Sequence, residues 1–234
     1  MFASKMNKLV IDIKDLSFIY PGSQFRLSVA DFKMHEGERV FLHGPSGSGK
    51  STFLNLISGL LNPSSGKLNV LGVDMTRASP RQRDVFRSDH LGCIFQQFNL
   101  IPYLSAEENI LLSAWNSKTR WRKDRFKSPQ EEVRFLAQRL DVESVLSQTS
   151  SSLSVGQQQR VAAARAFMGA PSIIIADEPT SALDAERQVG FIKLLLDLSK
   201  EFTMALLFVS HNEALSSHFE RKMDFNLVSG GICG

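Results

Sequence analysis

Gly44-Pro45-Ser46-Gly47-Ser48-Gly49-Lys50-Ser51 fits the pattern G-x-x-x-x-G-K-[ST], a loop that wraps phosphate groups. The apolar run Val40-Phe41-Leu42 before it predicts a buried strand, and Thr52 to Ile57 after it predicts a helix with an apolar face. Strand, glycine loop and helix in that order turn a short pattern into a phosphate site. The residue types follow from the chemistry. Glycines let the backbone aim its N–H groups inward and keep side chains out of the way. The helix start adds unpaired N–H groups and the positive end of its dipole. Lys50 supplies a point charge for β- and γ-phosphates, Ser51 a hydroxyl for Mg²⁺, and Thr52 helps to start the helix. The plain alternative is a glycine-rich turn that binds nothing.

The chain of 234 residues is 43% hydrophobic and 22% charged, which suits one soluble globular domain with room for a subdomain. No apolar run approaches a membrane span, and Met1 to Lys8 lacks an apolar signal core. A cytosolic protein that docks onto something in the membrane is expected. A net charge of +3 is too small to imply nucleic acid. Locally, Arg120-Trp121-Arg122-Lys123-Asp124-Arg125-Phe126-Lys127 interleaves basic and aromatic residues; contact with acidic lipid or RNA is one reading, and a solvated loop is the preferred one. Cys93 and Cys233 are far apart, lack metal-ligand spacing and read as reduced thiols.

Alternating residues predict strands at Leu9 to Ile13, Leu16 to Tyr20 and Phe25 to Val29, separated by turn signals, which suggests an antiparallel layer. Strands are expected again at Lys67 to Val70 and Leu91 to Phe95. From Gln97 onward the pattern becomes helical, with capping-box starts at Ser105/Glu108 and Ser128/Glu131. Ile173 to Ala176 and Ala205 to Val209 are near-continuous apolar runs that suit parallel strands covered on both faces. Helical stretches at Gln157 to Met168 and Ala185 to Lys200 separate them, so the class is α/β: a mostly parallel sheet, an N-terminal antiparallel β layer and an inserted α-helical subdomain.

Asp177-Glu178 ends one of those strands, at the edge where open α/β sheets bind ligands. Asp177 there suits Mg²⁺, and Glu178 suits polarising the water that attacks a γ-phosphate; an acidic turn before Pro179 is the bland reading. Leu153-Ser154-Val155-Gly156-Gln157 opens a helix through the capping-box pair Ser154/Gln157, and its tip is a possible second anion site. Ser210 and Glu213 form another capping-box pair around His211.

With these residues in view, nearly the whole chain resembles the ATP-binding-cassette ATPases, the nucleotide-binding subunits of ABC transporters. Gly44 to Thr52 matches the Walker A motif of that family, Phe95-Gln96 its Q-loop, and Ala176-Asp177-Glu178-Pro179-Thr180 its Walker B end. Leu153 to Arg160 is similar to its signature, Ser181-Ala182-Leu183-Asp184 to its D-loop and Ser210-His211 to its H-loop. The resemblance implies one domain over 1–234, with a P-loop, RecA-like core at 1–96 and 157–234 and a helical subdomain at 97–156. It implies that Tyr20 stacks on adenine, that Gly44, Pro45, Ser46, Gly47, Ser48, Gly49, Lys50, Ser51 and Thr52 hold the phosphates, and that Ser51, Gln96 and Asp177 attend Mg²⁺. Glu178, His211 and Lys50 are the implied catalytic groups. Ser154, Gly156, Gln157 and Asp184 are implied at a head-to-tail homodimer interface, where the signature of one copy closes over ATP held by the other.

Because no membrane segment is seen, separate transmembrane permease subunits are expected, with peripheral attachment to the cytoplasmic face of the inner membrane. The words Phe95-Gln96-Gln97-Phe98-Asn99-Leu100-Ile101-Pro102 resemble the subgroup of lipoprotein-release, macrolide-export and cell-division ATPases. A second class is a soluble regulatory ABC ATPase acting on nucleic acid or ribosomes, although nucleic acid is not the expected partner. A third is a degenerate nucleotide sensor without turnover. The usual signature is L-S-G-G-Q; Val155 replaces its first glycine, and a valine is strained there if the position needs φ > 0.

Overall fold

The computed structural model describes residues 8–117 and 124–228. Its strands and helices run β1 (Leu9–Ile19), β2 (Arg26–His35), β3 (Arg39–His43), α1 (Lys50–Ile57), β4 (Ser65–Val70), β5 (Val73–Asp74), α2 (Pro80–His90), β6 (Leu91–Ile94), α3 (Ala106–Trp115) and α4 (Pro129–Arg139), then α5 (Val155–Phe167), β7 (Ile173–Asp177), α6 (Ala185–Glu201), β8 (Ala205–Ser210), β9 (Arg221–Asp224) and α7 (Phe225–Val228). Two sheets result. One is antiparallel, in the order β2-β1-β4-β5; the other is parallel, in the order β6-β7-β8-β3-β9.

Alternation along the central strands divides the core into two. Val40 and Leu42, Ile173 and Ile175, and Ala205, Leu207 and Val209 face the antiparallel sheet and α1. Phe41, Ile174 and Ala176, and Leu206 and Phe208 face α3, α4, α5 and α6. A strand's side chains point to opposite faces in turn, so covering both faces demands apolar residues at every position, and β8 is buried throughout.

The first two expected strands are one. Asp15 takes a left-handed φ of 48°, and the register against β4 shifts between Lys14 and Ser17. The polar pair Lys14-Asp15 therefore marks a bulge inside a strand, not a break between two. Gly66 on β4 is what admits it, since a Cβ there would lie 2.2 Å from the Asp15 carbonyl oxygen.

The chain after Gln96 also differs from expectation. Residues 97–105 form no helix, and α3 starts only at Ala106 behind the full capping box Ser105/Glu108. Ser128 does accept the N–H of Glu131, but the Glu131 carboxylate turns to the N–H of Lys127, so that box is half made. Of the basic stretch, Arg120 to Lys123 lie outside the described residues, as does Cys233. In the remainder, Asp124, Arg125 and Lys127 are exposed as expected of a surface loop, but the loop is anchored. Phe126 is buried, and the Arg125 guanidinium stacks over Phe202 at 4.4 Å while bonding Glu201. Helix α2 is not among the expected elements, although Ser79-Pro80-Arg81-Gln82 carries a capping box that the structure completes. Strands β5 and β9 are too short to show a period.

Strand β6 lies close under α5. A Cβ on Gly92 would sit 2.1 Å from the Ala166 carbonyl oxygen, so helix and strand approach where only glycine fits. Gly92→Ala is expected to force them apart and cost about 3 kcal/mol, lowering the melting temperature by about 10 °C. Calorimetry checks this; an unchanged melting temperature means that the close approach is not rigid.

Candidate active site

The parallel register assembles the site. His43 at the end of β3 pairs with Ser210 at the end of β8, and Asp177 at the end of β7 pairs with Val209 on β8. Ile94 at the end of β6 pairs with Ala176, which places Gln96 just beyond the same edge. The phosphate loop, Glu178, His211 and Gln96 thus leave adjacent strand ends on one rim of the sheet.

Residues 44–49 bridge β3 to α1. Gly47 and Gly49 take φ of 79° and 91°, a left-handed path that side chains resist. Gly49 is the N-cap of α1 and gives it no side-chain cap, so the first-turn N–H groups stay open for an anion. Lys50 is folded back into its own loop: Nζ donates to the carbonyls of Gly44 (2.7 Å) and Pro45 (2.8 Å). Burial pushes its pKa down, against the opposing pull of the Glu178 and Asp177 carboxylates. The Ser48 hydroxyl is buried without a hydrogen-bond partner among the described residues.

Asp177 has its pKa raised, chiefly by burial and also by the neighbouring Glu178 charge; a hydrogen bond from the Ser51 side chain and the Lys50 charge act the other way. Glu178 occupies a left-handed φ of 47°, an uncommon state for a residue with a Cβ and the kind of strain that collects at functional sites. Its N–H is bonded to the Val209 carbonyl at 3.0 Å. Its Oε2 accepts from the Ser210 hydroxyl at 3.2 Å and lies 3.0 Å from Nδ1 of His211. Glu178 is 14% exposed and His211 63%, so the pair runs from the sheet edge out to the surface.

A cleft of about 670 Å³ brings together Tyr20, Ser46, Gly47, Gly49, Lys50, Ser51, Thr52, Gln96, Asp177, Glu178 and His211. Gly44, Pro45 and Ser48 belong to the same loop but do not line the cleft. Tyr20 is fixed over the start of α1 by a 3.2 Å contact between its hydroxyl and that of Thr52. Phe25 also lines the cleft, its ring 5.9 Å from that of Tyr20. Its place in the alternating run Phe25 to Val29 predicts only a strand residue, and the nearby turn Pro21-Gly22 is the one sequence signal for the site.

Ser154, Gly156, Gln157 and Asp184 do not reach this cleft. Ser154 caps α5, with its hydroxyl on the N–H of Gln157 and the Gln157 side chain on its own N–H. Asp184 caps α6 by accepting the N–H of Arg187. Val155 is the first residue of α5, is half-exposed and has no positive φ, so the strain anticipated for a valine is absent. A Cβ on Gly156 would meet nothing within 4 Å. The expected capping box at Ser210/Glu213 is not formed. Ser210 ends β8, and Asn212 caps the short turn Glu213–His218.

The loop after Gln96 is tied to α5. Arg165 donates to the carbonyls of Phe98 (2.6 Å) and Asn99 (2.7 Å), and burial pushes its pKa down. Beside it a groove of about 350 Å³ is lined by Leu60, Arg87, Phe95 and Asn99, among others. Leu60 and Tyr103 are exposed.

Comparison with known proteins agrees with this geometry. A profile of the family described as ABC transporter matches residues 27–181. The ABC transporter ATP-binding protein YtrE of Bacillus subtilis is 37% identical over 201 residues, covering 84% of each chain. The lipoprotein-releasing system ATP-binding protein LolD of Francisella tularensis is 33% identical over 232 residues, covering 97% of each. Among solved structures, the dimeric post-hydrolysis state of the ATP-binding cassette MJ0796, bound to ADP and Pi, superimposes with a TM-score of 0.78 at 31% identity, over 92% of this chain and 93% of that one. A regulator acting on nucleic acid or ribosomes gains no support from these relatives. The chain belongs to the ABC transporter family, and it binds and hydrolyses ATP as the subunit that powers a membrane transporter.

Proposed function

We propose that two copies of this chain close head to tail over ATP, and that separate transmembrane permease subunits on the cytoplasmic face of the inner membrane receive the motion. The observation that carries this is the division of the site. The cleft holds phosphate-binding and hydrolytic groups, while the tip of α5 presents Ser154, Val155 and Gly156 outside it. One copy leaves bound phosphates open to water; a second copy's α5 tip supplies the missing side. Residues 97–156 act as the helical subdomain and 1–96 with 157–234 as the RecA-like core, with Arg165 carrying movement of α5 to the loop after Gln96. The groove at Leu60 and Phe95 suits a permease segment.

Within the cleft, the loop N–H groups and Lys50 hold the phosphates. Lys50 exchanges its two loop carbonyls for phosphate oxygens, which gives a buried cation anionic hydrogen-bond partners. Tyr20 and Phe25 offer ring faces to adenine. Glu178 orients and deprotonates the attacking water, and His211 donates to the γ-phosphate. Asp177 and Ser51, with Gln96 nearby, present hard oxygen donors of the type that suits Mg²⁺, and the burial cost on the Asp177 carboxylate is what a cation offsets. Mg²⁺ held there would neutralise charge on the β- and γ-phosphates.

Three outcomes test these assignments. Asp177 titrates higher in the folded chain than its usual 3.8, so its contribution to stability is full below that pH and is lost as pH rises through the folded value. Asp177→Asn is expected to leave the melting temperature at pH 7 equal or slightly higher, with that advantage shrinking toward pH 4. Its turnover should fall about 100-fold. A lower melting temperature at pH 7 refutes the burial cost, and retained turnover refutes the metal role.

Glu178→Gln should bind ATP, lose about 100-fold or more in turnover and run as a dimer in size exclusion. When it is purified from detergent-solubilised membranes, a membrane subunit should accompany it. A fully active monomer overturns the sandwich, and recovery without any membrane protein overturns the permease. Val155→Gly, assayed for steady-state ATPase activity, should give turnover equal to or up to about twice that of the parent, since glycine restores a tip without a side chain at small cost to the first helical turn. A clear loss would show that valine itself is required.

A further inference from the structure

Gln188 lies one turn into α6 and touches neither the cleft nor the α5 tip. Its amide nonetheless makes three hydrogen bonds. Nε2 donates to the carbonyls of Thr180 (3.2 Å) and Leu183 (3.0 Å), and Oε1 accepts from Nδ2 of Asn212 (3.3 Å). Two carbonyls can face only the NH₂ end, so the network fixes the amide's orientation.

From Asn212 the chain of bonds continues to Glu178. The N–H of Asn212 donates to the Ser210 hydroxyl at 3.1 Å, and that hydroxyl donates to Oε2 of Glu178. The backbone from Glu178 through Pro179 to Thr180 returns to Gln188. The result is a closed circuit of bonds, and Glu178, Ser181, Gln188, Ser210 and Asn212 are among the residues lining a polar cavity of about 450 Å³ beside it. A second amide holds the same turn from the other side: Gln159, buried on α5, donates to the carbonyl of Pro179.

We propose that Gln188 is a positioning residue for hydrolysis: it locks the turn 180–183 to the strand end bearing His211, so that the Glu178 carboxylate and the His211 ring are set together. This rests on the roles given above to Glu178, His211 and the turn. A second copy pressing on Ser181 to Asp184 moves two carbonyls that Gln188 holds, and the shift reaches Glu178 through Asn212 and Ser210. Occupancy of the interface thereby regulates the hydrolytic geometry of the same subunit without moving the phosphate loop. Networks of this kind act as units, and their members are non-additive.

The test compares Gln188→Ala, Gln188→Glu, Asn212→Asp and the double variant Gln188→Ala/Asn212→Asp with the parent protein. It reads kcat, the Hill coefficient for ATP, the affinity for a fluorescent ATP analogue and the melting temperature. Gln188→Ala should lower kcat about tenfold and reduce cooperativity, with nucleotide affinity within about twofold and the melting temperature within about 2 °C. Gln188→Glu should not rescue, because a carboxylate cannot donate to the carbonyls of Thr180 and Leu183. Asn212→Asp keeps the oxygen that caps the turn but loses the donor to Gln188, so it too should lower kcat. The double variant should fall no further than Gln188→Ala alone. An unchanged kcat in Gln188→Ala overturns the proposal, as does a parallel loss of affinity, melting temperature and kcat, which marks a merely structural role. Glu178→Gln assayed alongside keeps the two ideas distinct. If it stalls while Gln188→Ala does not, only the positioning role is lost; if it turns over freely, the assignment of Glu178 fails first.

Discussion

Parallel pairing of β7 with β8 and of β8 with β3 is the constraint from which the site follows. Parallel strands end on the same side, so each strand's last residue delivers its successor to a common rim. Here those successors are the phosphate loop after β3, Glu178 after β7 and His211 after β8. No one of these residues needs a long side chain to reach the others, because the backbone register has already brought them together. The same pairing dictates composition. Parallel strands covered on both faces must be apolar at consecutive positions, which is why Ile173 to Ala176 and Ala205 to Val209 are unbroken.

On that rim several groups sit in states that cost free energy. Lys50 is a cation penalised by burial, with its hydrogen bonds going to two backbone carbonyls. Asp177 is a carboxylate that burial drives toward its neutral form. Glu178 holds a left-handed backbone, and the Ser48 hydroxyl is buried without a hydrogen-bond partner among the described residues. Each is tolerable because two apolar layers clamp the sheet beneath them. In the proposed reading a bound triphosphate would give Lys50 anionic oxygens and the loop N–H groups acceptors, while a cation accompanying it would offset the Asp177 charge. Sites that pre-organise charge in this way are expected to be strained when empty.

The apolar periods and helix caps made most of this architecture legible in the sequence. Ser105, Ser128 and Ser154 cap the helices as read, and the two long apolar runs form central strands. What failed was local in every case. Lys14-Asp15 broke the alternation of a strand that in fact continues through a bulge, because Gly66 on the neighbouring strand makes room for it. Ser210/Glu213 has the spacing of a cap, but Ser210 is held in β8 by its ladder, so the neighbouring Asn212 takes the role. Residues 97–105 carry apolar residues at intervals that suggest a helix, yet Arg165 pins that segment through its carbonyls. Within the site, every cleft residue except Phe25 could be named from motif order. Gln188 could not, because its partners Thr180, Leu183 and Asn212 meet it only in the folded chain.

The α5 tip shows why a departure from a motif need not be a departure from its chemistry. The capping box engages the N–H groups of Ser154 and Gln157. The N–H groups of Val155 and Gly156, at the first two helical positions, cannot bond within the helix. They are the atoms an anion would meet, and they belong to the backbone. Glycine in place of Val155 would matter for conformation only if the position had a left-handed φ, and it has none. The side chain therefore changes how closely a partner surface can approach, since Val155 is 53% exposed, while the donor itself is untouched. In the proposed head-to-tail pair, a valine here would alter the fit of the two copies and leave the N–H donors in place, so the two effects would separate as dimer closure and nucleotide affinity.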